Sequence, residues 1–132
     1  MQLEDRKAQF SFTKVKLFAL IAVVVSVGTI PVTFSHITHQ QMIYHIILHI
    51  ASLTLAIFLS YISVAAYARD GRARLMFMAF GFITLAILEG LMLLSATGNI
   101  DAPIVPTINV ELSHIVLLLM ITLFGIGVLK VN

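Results

Sequence analysis

Residues 43–67 read IYHIILHIASLTLAIFLSYISVAAY, with no Asp, Glu, Lys or Arg among them. At about 1.5 Å per residue, a helix over this stretch outreaches the roughly 30 Å hydrocarbon core of a bilayer. The next segment, Ala68-Arg69-Asp70-Gly71-Arg72-Ala73-Arg74, changes character at once. Asp70-Gly71 predicts a tight turn, because glycine accepts positive φ without steric penalty. The next apolar run begins at Leu75. An apolar crossing, a basic turn and a return crossing therefore lie in one continuous piece of chain.

Two further apolar runs flank this unit, so the predicted spans are about Val15–Phe34, Ile43–Tyr67, Leu75–Thr97 and Asn109–Leu129. The composition agrees. Of 132 residues, 60% are hydrophobic and 11% charged, and the mean hydropathy is +1.06, whereas soluble domains carry about 25% charged residues. The expected fold class is all-α, an antiparallel four-helix transmembrane bundle in which residues 1–132 form a single integral membrane domain. The head Met1–Phe12 is expected to lie at the membrane surface. The first run is longer than a signal-peptide core and has no small-x-small site after it, so it is expected to be a retained span. Pro31 is expected to end or kink it, with Ser35 as an N-cap for the next helical stretch.

The absence of cysteine excludes disulfides, Cys-type zinc sites and iron–sulfur clusters. The pI of about 9.2 does not point to nucleic acid. Arg6, Lys7, Lys14, Lys16, Arg69, Arg72, Arg74 and Lys130 sit as collars beside span ends, and four crossings bring them all to one face. The positive-inside rule then places both termini and the Arg69–Arg74 loop in the cytoplasm of a multi-pass cell-membrane protein. The expected partners are the lipid bilayer and either other membrane subunits or further copies of the chain. Attraction of the collars to anionic lipid is expected and unspecific.

All five histidines, His36, His39, His45, His49 and His114, fall toward the opposite face, with Glu89, Asp101 and Glu111. His45 and His49 are four apart, so a helix presents both imidazoles on one side, a spacing that suits a shared metal ion. Glu111 and His114 are three apart on the predicted last helix, the Glu-x-x-His spacing of carboxylate-bridged di-metal bundles. From the predicted span ends, His49 lies roughly 9 Å deep, Glu89 roughly 8–12 Å, and Glu111 and His114 roughly 3–8 Å. An ionised carboxylate in hydrocarbon costs at least ~2.5 kcal/mol, and this slab holds no Lys or Arg to neutralise Glu89. Its partner must be a proton, a histidine or a metal ion.

Three functions are compatible with this pattern. The first is an accessory or redox-associated subunit with a metal site of His45, His49, Glu89, Glu111 and His114 near the outer leaflet. Such donors suit zinc, copper or iron, with Met42 and Met92 as soft ligands for Cu(I). Haem b, held between a histidine of span two and His114, is a variant that leaves Glu89 unexplained. The second is a structural subunit of a larger membrane complex with no cofactor. The third is a small transporter or proton relay in which Glu89 and His49 exchange protons. No nucleophile–base pair, phosphate-binding loop or cofactor fingerprint is present, which speaks against a stand-alone enzyme, and Ser113 and His114 are expected to diverge as neighbours on a helix. Elsewhere, the Ser52, Ala56 and Ser60 stripe has the spacing of close helix packing, and the run from Met76 to Phe82 is expected to fill core or meet lipid.

The stretch Ala66-Tyr67-Ala68-Arg69-Asp70-Gly71, with Leu75 and the run Ala79-Phe80-Gly81-Phe82, resembles an uncharacterised family of small archaeal membrane proteins, prominent among halophiles. These share a Tyr-x-Arg-x-Gly turn between two spans and a Gly-Phe at the start of the next. A glutamate opens their last span, as Glu111 does here. The resemblance covers spans two to four and implies an archaeal four-span integral membrane protein. It implies no activity, and neither the His45/His49 pair nor Glu89 belongs to it.

Overall fold

A computed structural model describes residues 2–34, 40–101, 104–105 and 110–129. Ser35, His36, His39 and Lys130 lie outside the described residues. Four helices carry the all-α fold: α1 (Gln2–Thr33), α2 (Gln40–Asp70), α3 (Ala73–Ala96) and α4 (Leu112–Leu129). Each contains a segment long and apolar enough to cross a membrane, over Thr13–Thr33, Met42–Asp70, Ala73–Ala96 and Leu112–Leu129.

The helix ends obey local chemistry. No proline or glycine interrupts Gln2–Phe12, and good helix formers such as Leu3, Glu4, Arg6, Lys7, Ala8 and Gln9 let α1 start well before the expected Val15. Pro31 lies inside α1 and removes the amide that would reach Val27, yet the helix runs on past it to Thr33. Gly71 sits at φ 65° and its N–H donates to Tyr67 O at 2.7 Å, closing α2 in the turn expected there. Gly98, at φ 67°, ends α3. Its N–H donates to Ser95 O at 3.0 Å, and the N–H of Asn99 donates to Leu94 O at 2.9 Å, the paired bonds of a Schellman cap.

One boundary is corrected outright. The last helix, expected from Asn109, begins at Leu112. Val110–Glu111 instead forms a short strand, β2, paired antiparallel with β1 (Ile104–Val105), with Ile104 opposite Glu111 and Val105 opposite Val110. Glu111 thus belongs to an extended ribbon and not to a helix face.

The helices pack in chain order, α1 on α2, α2 on α3 and α3 on α4, with the α2–α3 seam the most extensive and α1–α2 the least. Large apolar residues face outward: Leu20, Val24, Leu48 and Leu118 are each more than 60% exposed. The buried positions are mostly small or hydroxylated, among them Ala56, Ala79, Thr54 and Ser63, together with Gly81 and Gly127. This inversion is what a lipid environment demands. Burying one aliphatic chain against another gains little when the solvent is itself aliphatic, so close backbone approach decides which faces meet. Of the expected stripe, Ala56 is fully buried at 0% and Ser52 and Ser60 are half-buried. Between α3 and α4, a Cβ on Gly81 would come within 2.8 Å of Phe124, whose ring also meets Phe82 edge-on at 5.0 Å.

Candidate functional site

The α2–α3 seam contains a close polar contact between two ionisable side chains. His49 of α2 and Glu89 of α3 meet with Nδ1 and Oε2 2.8 Å apart, and their side chains are only 12% and 17% exposed. Measured along the helices, His49 is roughly 14 Å from the start of α2 and Glu89 roughly 10 Å from the end of α3. Ile46 lies one turn from His49 and Leu93 one turn from Glu89, and both are buried, so the pair is walled by aliphatic side chains on its own helix faces. Of the partners left open for Glu89, a proton, a histidine or a metal ion, the packing brings His49 to its carboxyl.

His45 extends the contact toward the surface. Its Nε2 lies 3.2 Å from His49 Nε2, and the two rings meet edge-on at 4.6 Å, as the four-residue spacing predicts. His45 itself is exposed. Three titratable groups therefore form a chain in which His49 uses both ring nitrogens. When His49 is neutral with its proton on Nδ1, it donates to the Glu89 carboxylate and accepts at Nε2 from His45. When it is an imidazolium, it donates in both directions, to Glu89 and to the lone pair of His45. The same geometry accommodates both proton arrangements without moving a heavy atom.

Glu111 and His114 make their polar contacts elsewhere. Ser113 Oγ donates to Glu111 Oε2 at 3.1 Å, and His114 Nδ1 lies 3.9 Å from the same oxygen, with the two side chains 57% and 70% exposed. The Glu-x-x-His pair is close in space, but as a strand–helix junction in place of the expected helix face. Ser113 and His114, expected to diverge, instead bring Ser113 Oγ to 3.4 Å from His114 Nδ1. This is no nucleophile–base pair. The hydroxyl is committed to the carboxylate, a single ring nitrogen faces both groups, and all three are open to the surroundings. Asp101 is exposed.

The five residues expected to bind one metal thus fall into two sets, His45–His49–Glu89 and Glu111–His114. Among the described residues, no group of three or more His, Cys, Asp or Glu side chains is placed to hold a metal ion.

Compared with protein-family models, curated proteins and solved structures, the chain matches none of them.

Proposed function

We propose that the protein is a proton-coupled multi-pass membrane protein in which Glu89 is the proton-loading carboxyl and His45 and His49 relay protons to it from the membrane surface. The observation that carries this reading is the continuous contact from exposed His45 through His49 to Glu89, at 3.2 and 2.8 Å. An ionisable pair inside a membrane helix is costly to keep and is a mark of proton or ion handling. Imidazole is suited to the relay because its charge changes near physiological pH and its two nitrogens can take a proton on one side and release it on the other.

Beyond Glu89, the hydroxyls of Thr54, Ser60 and Thr84 donate to carbonyls of their own helices at 2.7–2.8 Å, so they add no link to the chain. The relay accordingly loads Glu89 from the histidine end. With Lys14, Lys16, Arg69, Arg72 and Arg74 at the other end, the positive-inside bias orients the histidine end away from the cytoplasm. A metal-holding accessory subunit needs several donors at one point and draws less support from this arrangement.

Infrared difference spectroscopy of the lipid-reconstituted protein, acidic minus neutral buffer, tests the reading. Wild type should show a protonated-carboxyl band that is missing from Glu89→Gln, and His49→Ala should slow its appearance after a pH jump by about tenfold or more. The proposal fails if the Glu89→Gln spectrum equals that of wild type. It also fails if purified protein carries near-stoichiometric Zn, Cu or Fe that His49→Ala removes.

A further inference from the structure

We propose that the cleft between α1 and α2 at the basic end of the molecule is a binding site for an anionic glycerophospholipid. The cleft encloses about 490 Å³, within the size range of small-molecule sites. Lys14 of α1 and Arg69 of α2 line it together with Leu17, Tyr61, Ile62 and Ala65. The two helices run in opposite directions across the membrane, so moving from Lys14 to Leu17 and from Arg69 back to Tyr61 leads inward on both walls. The cations therefore stand together at the mouth, and the apolar groups stand deeper, from roughly 5 Å on α1 to roughly 12 Å on α2. That order matches a phospholipid standing in its leaflet, with its phosphate at the membrane surface and its acyl chain below.

Local packing explains why the space is there. Phe18 and Phe58 meet edge-on at 5.3 Å, one residue and one helical turn further in than Leu17 and Ile62, and hold the helices apart. Between that contact and the mouth, α2 lines the gap with Ala65 and Ala66 beside Tyr61 and Ile62, and the two alanines are too small to fill it. Arg69 Nε donates to Asp70 at 3.0 Å, which fixes the guanidinium at the mouth while engaging one of its five N–H donors. Lys14 and Arg69 against the single carboxylate of Asp70 leave the mouth net positive, which favours a phosphodiester with one net negative charge over a zwitterionic headgroup. The occupant is a lipid because the apolar walls are continuous with the outward apolar surface of α1, where Val15, Leu20 and Val23 are largely exposed.

The test is native mass spectrometry of the full chain released from nanodiscs of phosphatidylglycerol and phosphatidylcholine with identical chains. Retained phosphatidylglycerol should exceed phosphatidylcholine. Retention should fall about fivefold in Lys14→Gln or Arg69→Gln and about tenfold or more in the double variant, while Arg72→Gln/Arg74→Gln, outside the cleft, changes it less than twofold. Ala65→Phe, which fills the slot and keeps both charges, should also lose the lipid, and Glu89→Gln should keep it. Equal retention of the two lipids overturns the proposal. So does an equal loss in the Arg72→Gln/Arg74→Gln control, full retention in Ala65→Phe, or a lipid-free dimer in which a second copy covers the cleft.

Discussion

The two seams that α2 makes with its neighbours differ in kind. Toward α3, on the stripe that carries His49, it presents Ala56 and Ser63, both buried, and Ala56 has no exposed surface at all. There the backbones approach closely enough for His49 and Glu89 to hydrogen-bond. Toward α1 it presents Phe58, Tyr61 and Ile62, and the membrane-spanning part of α1 buries none of its residues; an aromatic contact and a cleft separate the helices. Both seams are apolar by composition, so hydrophobicity does not distinguish them. Side-chain size does. In lipid, small residues allow contact and large ones hold helices apart, so the tight seam can position polar groups to a few tenths of an ångström and the loose one can admit a ligand.

This contrast yields a ranked set of stability effects, each measurable by equilibrium unfolding in mixed detergent. Ala56→Leu should be the most damaging, about 1–3 kcal/mol, because the added carbons have no space and force α2 from α3. Gly81→Val should cost about 1–2 kcal/mol by pressing on Phe124, and Phe124→Ala in the same chain should recover most of it. If that double variant shows no recovery, the α3–α4 contact is not steric in origin. His49→Ala should cost about 1 kcal/mol, in keeping with hydrogen bonds between membrane helices, with Glu89→Gln/His49→Ala no worse than the single change. Phe18→Ala, in the loose seam, should cost about 0.5–1 kcal/mol. Ser113→Ala should be smallest, within about 0.5 kcal/mol, since its contact is open to the surroundings. A Phe18→Ala effect exceeding that of Ala56→Leu would reverse the contrast between the seams.

Much of the site was legible before folding. The four-residue spacing of His45 and His49 already places the rings together, since helical geometry is local. A carboxyl at position 89, inside an apolar run with no basic residue nearby, needs a histidine, a proton or a metal. The choice among those was not legible. His49, His45 and His114 were equivalent candidates, and only the packing of α2 on α3 selects His49. Glu111 was misplaced for a related reason. A Glu-x-x-His spacing is helical only if the helix has begun, and the pairing of Val110–Glu111 with Ile104–Val105 delays its start.

Spans, turns and the segregation of charge to opposite ends come from local chemistry alone: run length against bilayer thickness, a glycine that tolerates positive φ, and the cost of moving cations through hydrocarbon. Which helix lies against which comes from none of these, because every span is apolar enough to pair with any other. That choice depends on where small side chains on two helices fall opposite one another. Only in the folded chain do Ala56 and its neighbours draw α3 onto α2, bring a carboxyl to an imidazole, and leave α1 far enough away to open a cleft.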